Sequence, residues 1–144
     1  MTLNEQLQLI NSFIKSRKFC VISTVNSRNE PQSAVMAYSE KNENEIIFQT
    51  PNYSRKYQNI KVNTHVSVAI GWEEDDFITL QYEGIAREVY KSEVDEVRKV
   101  HVGKSPQGER YAYVDENKYF VISPKWIRYS DLIKEITFEI AYDK

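Results

Sequence analysis

Hydrophobic and polar positions follow the spacing of an amphipathic helix in the first part of the chain. Between Leu3 and Ile14, apolar side chains recur every three or four residues on one face. Thr2 and Glu5 have the spacing of a capping box, in which each side chain accepts a hydrogen bond from the backbone N–H of the other. The sequence therefore predicts a helix from Thr2 to about Ser16.

After this helix the pattern changes to β-branched and aromatic runs separated by polar turns, which is typical of strands. The runs read KFCVISTV, QSAVMAYS, EIIFQT, HVSVAIGW and FITLQYEGIARE, and the turns between them include NSRNEP, EKNEN and EEDD. Near the end, KYFVISPKWIRYSD begins as a strand, meets Pro124 and resumes at Trp126, and EITFEIAY forms the last strand. Consecutive strands joined by short turns predict an antiparallel sheet closed on itself, with helices as lids.

Two shorter helices are predicted between the strands. The first follows Ser54, a candidate N-cap, and has Tyr57 and Ile60 on its apolar face. The second lies in SEVDEVRKVHVGK, where Ser92 is the candidate N-cap and Val97 belongs to an apolar face. No repeat, low-complexity tract or linker interrupts the chain, so we expect residues 1–144 to form a single domain.

Composition and charge narrow the function classes. The formal net charge of -2 disfavours a general nucleic-acid-binding protein, which would carry a basic face. Cys20 is the only cysteine, so an intrachain disulfide is impossible and a reducing cytoplasm is the expected location. No apolar run reaches the roughly 18–20 residues of a membrane span, and the N-terminus lacks the basic and apolar blocks of an export signal. We expect a cytoplasmic protein with no nucleic-acid or membrane partner.

Few residues are candidates for catalysis by side chains. His65 and His101 lie far apart in the sequence with no accompanying ligand pattern, and His65 is interpreted as a strand residue. Cys20 lies between apolar neighbours and is interpreted as a buried small hydrophobe. The acidic run from Glu73 to Asp76 is interpreted as a solvated hairpin loop rather than a metal site. No catalytic side chain and no metal ligand is therefore predicted.

The tripeptide Ser54-Arg55-Lys56 is the best candidate for a binding site. Helix N-termini are electropositive, so cations in the first turn should cost roughly 0.3–1 kcal/mol. A phosphate group there would accept hydrogen bonds from the backbone N–H groups, the Ser54 hydroxyl and both cations. The tripeptide alone is equally compatible with two long, solvated side chains that tolerate the small penalty.

A longer stretch around this tripeptide resembles the pyridoxamine 5'-phosphate oxidase-like family of flavin-binding split barrels. In EIIFQTPNYSRKYQNIKVNTHVSVAIGW, a strand ends at Thr50, Ser54-Arg55-Lys56 begins a helix, and Asn63 precedes a strand that leads to Trp72. The segments LQYEGIARE and ISPKWIRYSD are similar to later parts of the family pattern. The matches occur in the family's order and cover most of residues 19–131.

The resemblance implies a mainly β fold: a six-stranded antiparallel split β-barrel with Greek-key topology and flanking helices. It also implies a flavin-dependent oxidoreductase that forms a homodimer with two FMN sites at the interface. The residues implied to contact the flavin phosphate or ribityl chain are Thr50, Ser54, Arg55 and Lys56. Those implied to lie along or near the flavin ring are Val35, Met36, Ala37 and Gln81. The side chain of Met36 or Tyr38 is expected to cover the ring.

The sequence departs from the pyridoxamine phosphate oxidases at several positions. Ala34 and Ser39 occupy the places of an Arg and a Lys on the second strand, and Ser130 that of a Trp in the closing segment. The C-terminal substrate motif of the oxidases, with an Arg and a His, has no counterpart in EITFEIAYDK. Oxidation of pyridoxamine phosphate itself is therefore not expected, and the sequence identifies neither the electron donor nor the organic substrate.

Two other functions are compatible with the sequence. The same barrel can serve as a non-enzymatic module that binds or senses FMN or haem, with His65 or His101 as the candidate haem ligand. It can also bind oligonucleotides on aromatic side chains, although the net negative charge counts against this. Trp72 and Trp126 are interpreted as core or interface aromatics rather than as ligand contacts.

Overall fold

The computed structural model describes residues 1–73 and 75–142. Three helices span Leu3–Ser16 (α1), Arg55–Val62 (α2) and Val94–Lys104 (α3). Eight strands span Phe19–Val25 (β1), Pro31–Ala37 (β2), Ser39–Lys41 (β3), Glu45–Pro51 (β4), His65–Ile70 (β5), Ile78–Glu88 (β6), Asn117–Asp131 (β7) and Ile136–Ala141 (β8). Short 3-10 turns lie at Lys91–Glu93 and Pro106–Tyr111. None of the helices in the described ranges has the length and apolar character needed to cross a membrane.

Helix α1 forms where the apolar periodicity predicts it. Thr2 is its N-cap, and the Thr2 and Glu5 side chains form the reciprocal bonds of the capping box. Ile10, Phe13 and Ile14 are buried in the main core. The helix therefore covers part of the sheet with its apolar face and leaves its polar face to solvent.

All eight strands belong to one antiparallel sheet. The hydrogen-bonded order is β2-β1-β5-β6-β7-β4-β3, and β8 also pairs with β7. The sheet curls into a half-barrel around a core of aliphatic and aromatic side chains, which confirms the antiparallel split barrel predicted from the sequence. The resemblance implies six strands, whereas the sheet has eight. The short β3 occupies part of the predicted EKNEN turn, and β8 adds a further strand beside β7.

The predicted break at Pro124 is a register shift within a continuous strand. β7 runs through Pro124, and its pairing with β6 shifts where Trp126 lies opposite Glu83 and Pro124 lies opposite Gly84. A Cβ atom on Gly84 would lie 2.6 Å from the carbonyl oxygen of Ser123. Glycine is therefore required at this close approach, and proline is tolerated because the ladder is already irregular there.

Helix α3 begins one residue later than the sequence predicts. Ser92 lies within the 3-10 turn that precedes the helix, so the prediction of Ser92 as N-cap is wrong. The Glu93 carboxylate instead accepts hydrogen bonds from Tyr90 N and from Arg87 Nη1, each at 2.9 Å. The hydrogen bonds from Arg87 lower the pKa of Glu93 to about 2.

Helix α3 packs on the face of β4 and β7 that points away from the main core. Val97 of the helix meets Ile47, Tyr119 and Val121 of the sheet in a second apolar cluster. Since Phe48 of β4 faces the main core, β4 is covered on both faces. The end of β4 is therefore a rigid platform for the segment that leads into α2.

Candidate functional site

The start of α2 has the predicted Ser54 N-cap. The Ser54 Oγ atom accepts a hydrogen bond from Tyr57 N at 3.2 Å. The same oxygen lies 2.7 Å from Oγ1 of Thr50, near the end of β4. These two contacts fix the start of the helix against a strand that is itself covered on both faces.

Within residues 1–73 and 75–142, the two cations that follow Ser54 have no acidic partner. The first turn of α2 contains no Asp or Glu, and among the described residues no carboxylate lies within 4 Å of Arg55 or Lys56. Lys61, in the last turn of the same helix, pairs with Glu88 at 2.8 Å. Arg55 is exposed and Lys56 is half-buried, and burial lowers the pKa of Lys56. Positive charge is thus held where the helix N-terminus already attracts an anion.

A cavity of about 160 Å³ opens beside these cations. Its other walls come from β1 and β2 and are formed by Ile22, Thr24, Gln32, Ser33 and Ala34. Ala34 stands where the resemblance places a family arginine, and its short side chain leaves room in the cavity. Two cations without a carboxylate partner among the described residues, together with neutral walls, suit a small anionic group.

Asn59 holds α2 on the sheet beside this cavity. Its Nδ2 atom donates to Thr24 Oγ1 at 2.9 Å and to Gln32 Oε1 at 3.0 Å. The side chain is buried, so these bonds satisfy groups that have lost contact with water. The only sign of this role in the sequence is a polar residue next to Ile60, at an inward position of a short helix.

Strand β2 has a free edge along the segment proposed to meet a ring. Among the described strands it pairs only with β1. Tyr38 N donates to Lys18 O, and bonded and non-bonded pairs alternate in an antiparallel ladder. The backbone N–H and C=O groups of Val35 and Ala37 therefore point away from β1 and are available to a ligand.

The side chains of this strand are arranged differently from the sequence expectation. Val35 is 74% exposed, whereas Met36 is 8% exposed and belongs to the main core. Tyr38 is fully buried, and its hydroxyl donates to the carbonyl oxygen of Ile14 at 2.5 Å. Neither Met36 nor Tyr38 is free to cover a ring, because inward-facing positions of the strand are already used by the core.

Gln81 lies on the outward face of the sheet, away from the cavity. One row of paired residues crosses the strands from Val35 through Val21 and Ala69 to Gln81 and Arg128. Gln81 is therefore three strands from Val35, a separation of about 14 Å. Its side chain is exposed, and a single chain does not bring it together with the cations of α2.

The cysteine and the two histidines have mostly structural positions. His65 is exposed at the start of β5, and Cys20 is buried in β1, as predicted. Burial raises the pKa of the Cys20 thiol to about 12. His101 is also buried, with Nδ1 2.9 Å from Ser39 Oγ, and burial lowers its pKa to about 4. Neither buried group is accessible to a ligand.

The acidic turn between β5 and β6 serves an ion-pair contact. Glu73 and Asp76 approach the Arg17 guanidinium at 3.0 Å and 2.5 Å, which ties the turn to the end of α1. Glu74 lies outside the described residues. Within the described part of the chain, no group of three or more His, Cys, Asp or Glu residues is arranged to hold a metal ion.

The two tryptophans lie outside the main core. Trp72 is exposed and packs edge-on against Phe77. Trp126 is half-buried, and its Nε1 atom donates to Glu139 at 3.2 Å. Of the two roles expected from the sequence, core or interface, only the interface role is compatible with the exposure of Trp72.

Comparison with protein families gives a match over most of the chain. The pyridoxamine 5'-phosphate oxidase family model matches residues 7–131. This range includes α2, the strands β1 to β7 and every residue that lines the cavity beside the cations. A comparison with curated proteins found no significant sequence match.

Solved structures share the fold at low sequence identity. General Stress Protein 26 from Bacillus anthracis has a TM-score of 0.74 at 22% identity, covering 94% of this chain and 99% of that chain. A protein of the pyridoxinephosphate oxidase family from Clostridium acetobutylicum, related to general stress protein 26, has a TM-score of 0.75 at 16% identity, covering 96% and 97%. A heme binding protein from Mycobacterium smegmatis has a TM-score of 0.82 at 13% identity; it covers 92% of this chain, which spans only 56% of that longer chain.

Proposed function

The chain belongs to the pyridoxamine 5'-phosphate oxidase family, and from this premise we propose that it is an FMN-binding protein and a flavin-dependent oxidoreductase. The observation that carries the proposal is the pair of cations at the start of α2, Arg55 and Lys56, which lie beside a cavity and have no carboxylate partner in the part of the chain that the structure describes. Two hydroxyl groups, from Thr50 and Ser54, lie 2.7 Å apart at the N-cap of the same helix. Cations, hydroxyls and helix N–H groups together are suited to a phosphate monoester.

The FMN phosphate would be held by Ser54, Arg55 and Lys56. Thr50 would support them through its contact with the Ser54 hydroxyl. Arg55 offers parallel N–H donors that match phosphate oxygens. Lys56 is half-buried, and this burial lowers the pKa of its ammonium group by removing part of its hydration. An anion beside it would offset that loss, so the site favours bound phosphate over water. Riboflavin lacks the phosphate and should bind much more weakly.

The flavin ring would lie along the free edge of β2. The backbone groups of Val35 and Ala37 point to that edge and can pair with the donors and acceptors on the polar edge of isoalloxazine. Met36 contributes to the strand but not to the cover of the ring, since its side chain is in the core. FMN, when bound, supplies hydride-accepting chemistry, and the residues of this chain orient it and exclude water.

The proposed site requires a second copy of the chain. A cavity of about 160 Å³ is smaller than the roughly 300–1,000 Å³ of most ligand sites, so one chain encloses only part of FMN. The adjoining outward sheet face exposes Phe19, Val21 and Val35. A second copy packed on this face would bury them, supply the missing wall and bring Gln81 near a ring. The proposed assembly is a homodimer with two interface sites.

The protein's proposed part in the reaction is binding and orientation, with no catalytic side chain. Neither Cys20 nor His101 is among the residues that line the cavity beside Arg55 and Lys56, and both side chains are buried. We also propose that the protein is cytoplasmic, since a chain with one cysteine cannot form an intrachain disulfide.

A non-enzymatic module that binds or senses flavin or haem is the alternative function. One solved structure with the same fold is named a heme binding protein. In this chain His65 is exposed, whereas His101 is buried and bonded to Ser39, so His65 is the better placed axial ligand. Haem held by His65 would give a Soret band that the His65→Ala change shifts or removes. A band unchanged in that variant would exclude His65.

Titration of the protein with FMN, followed by quenching of flavin fluorescence, tests the leading proposal. We expect riboflavin to bind at least about tenfold more weakly, and Arg55→Ala/Lys56→Ala to lose FMN binding to a similar extent. Lys61→Ala is the matched control, because Lys61 lies on the same helix but pairs with Glu88. A protein that ignores FMN at high micromolar concentration would contradict the proposal.

Reduction of the bound flavin separates the two functions. Stopped-flow absorbance would follow the flavin after mixing with NADH or NADPH. Rapid loss of the oxidised flavin spectrum supports an oxidoreductase. Negligible reduction with intact FMN binding favours the binding module.

A further inference from the structure

A second and larger cavity lies on the other side of the segment that enters α2. It measures about 620 Å³, within the range of sites that enclose small molecules. It forms where the end of β4 and the following loop meet the segment between α3 and β7. The lining residues that matter for its chemistry are Gln49, Tyr53, Tyr111, Val114, Glu116 and Asn117.

The rim of this cavity is aromatic and exposed. Tyr53 is 75% exposed and Tyr111 is 53% exposed, and Val114 beside them is 46% exposed. Tyrosine presents a rigid ring face to a planar ligand at a low cost in side-chain entropy, and its hydroxyl can remain in water. Two such rings on one cavity are suited to a flat aromatic molecule.

The cavity also contains two carboxamides with unused hydrogen-bonding capacity. Asn117 Nδ2 donates to Gln49 Oε1 at 3.3 Å, and Gln49 Nε2 donates to Gly108 O at 3.4 Å. Both bonds are long, and each carboxamide has two donor hydrogens and an oxygen with two lone pairs. Gln49 and Asn117 can therefore each bind a polar group on the edge of a planar ring.

The charge of this cavity is opposite to that of the site beside α2. Glu116 is the only charged residue among those that line it, and no Lys or Arg does. Among the described residues no cation lies within 4 Å of the Glu116 carboxylate. The exposed Glu116 carboxylate disfavours an anionic ligand relative to a neutral or cationic one. A cation lies near one lining residue, since the Arg110 guanidinium is 5.9 Å from the centroid of the Tyr111 ring.

We propose that this cavity binds a planar nitrogen heteroaromatic molecule, neutral or cationic, that carries a carboxamide or amine group. The tyrosines provide the faces, Gln49 and Asn117 bind the polar edge, and Glu116 selects against negative charge. Thr50 connects the two sites, because it lines this cavity while its hydroxyl lies 2.7 Å from Ser54 Oγ. Two ligands of different charge can therefore be bound on either side of the same strand end.

Three small probes of similar shape and different charge test the proposal. Nicotinamide is neutral, 1-methylnicotinamide is cationic and nicotinate is anionic. In ¹⁵N-labelled protein, the side-chain NH₂ signals of Gln49 and Asn117, assigned through Gln49→Glu and Asn117→Asp, report binding directly. We expect the neutral and cationic probes to shift both signals, and nicotinate to bind at least about tenfold more weakly.

Matched variants locate the probes. Tyr111→Ala should weaken nicotinamide binding at least about tenfold, while Tyr113→Ala should leave it unchanged, since Tyr113 is exposed nearby but does not line the cavity. Glu116→Gln should narrow the difference in affinity between nicotinate and nicotinamide. Arg55→Ala/Lys56→Ala should retain nicotinamide binding, so the outcome is independent of FMN.

No shift of either amide signal at millimolar probe, equal binding of nicotinate, or loss of binding in the Arg55/Lys56 variant would each overturn the proposal.

Discussion

The hydroxyl oxygens of Thr50 and Ser54 lie 2.7 Å apart, so the end of β4 is hydrogen-bonded to the N-cap of α2. Ser54 Oγ already accepts from Tyr57 N. If Thr50 donates to Ser54, the Ser54 hydroxyl proton is free to point to an anion beside Arg55. In that arrangement, the contact sets the direction in which the cap hydroxyl can donate.

Substitutions of Ser54 should separate stability from ligand binding. Ser54→Ala removes the cap and should lower the free energy of unfolding by about 0.5–2 kcal/mol, together with FMN affinity. Ser54→Asp keeps a capping oxygen but places a carboxylate beside the proposed phosphate, so stability should be retained while FMN affinity falls. Denaturant unfolding and FMN titration of both variants provide the two measurements. Equal FMN affinity in wild type and Ser54→Asp would contradict the assignment.

Ala34→Arg should strengthen FMN binding. Ala34 lines the cavity beside Arg55 and Lys56, so an arginine there would add a third cation next to the proposed phosphate. We expect an increase in FMN affinity of about tenfold and little change for riboflavin. Asn4→Arg adds the same charge on an exposed position of α1 and serves as the control. An equal gain in both variants would show a non-specific charge effect.

The affinity for FMN should fall at alkaline pH because of Lys56. A phosphate monoester is already a dianion above about pH 7, so a further fall in affinity reports loss of a positive charge from the protein. Burial lowers the pKa of Lys56, so this loss should begin at lower pH than for an ordinary lysine. Lys56→Arg should move the fall to higher pH. Parallel titrations with riboflavin correct for ionisation of the ring.

Acid should destabilise the fold through His101. Burial lowers the pKa of its imidazole from 6.5 to about 4, so the unfolded chain takes up the proton first. The stability gained from the neutral ring is fully present above pH 6.5 and is lost as pH falls toward 4, by about 1.4 kcal/mol for each pKa unit. Denaturant unfolding across this range should show the fall in the free energy of unfolding in wild type. The His65→Gln variant is the control and should show the same fall, because His65 is exposed. His101→Gln should show a shallower slope, because only the contribution of carboxylates with a lowered pKa, such as Glu93, remains. An unchanged slope in that variant would assign the effect to other groups.

Two glycine substitutions should change stability in opposite directions. A Cβ atom at position 84 would meet the backbone oxygen of Ser123 at 2.6 Å, so Gly84→Ala should lower the free energy of unfolding by about 1–3 kcal/mol. Gly103 lies in α3 with open space around its Cα atom, so Gly103→Ala should raise it by about 0.5–1 kcal/mol. Thermal or denaturant unfolding measures both. A Gly84→Ala variant with an unchanged free energy of unfolding would indicate that β6 and β7 can separate at the register shift beside Gly84.

The sequence predicts most of the fold because most elements carry a local pattern. The capping box at Thr2, the N-cap at Ser54 and the alternating strands depend on neighbouring residues only, and all of them are present. β3 has three residues, too few for periodicity, and the Glu93 contacts that replace the predicted Ser92 cap depend on Arg87 in another element. Such non-local contacts leave no local pattern to detect.

In the candidate site, too, features with a local sequence pattern could be predicted and features that depend on distant residues could not. The cations at Arg55 and Lys56 are adjacent in sequence, so a short motif is enough to single them out. The inward direction of Met36 depends on which face of β2 the rest of the sheet buries. The larger cavity joins residues 49–53 to residues 111–117, and only the folded chain brings those segments together.

A free strand edge is also a liability for solubility. The unpaired backbone groups of Val35 and Ala37 can pair with a strand from another molecule as readily as with a ligand, and exposed Val35 adds an apolar surface there. Pro31 lacks an N–H group, so it prevents strand pairing only at the first residue of β2. A cofactor bound along β2 would therefore also shield the strand edge from pairing with other molecules. The protein without this cofactor should aggregate more readily.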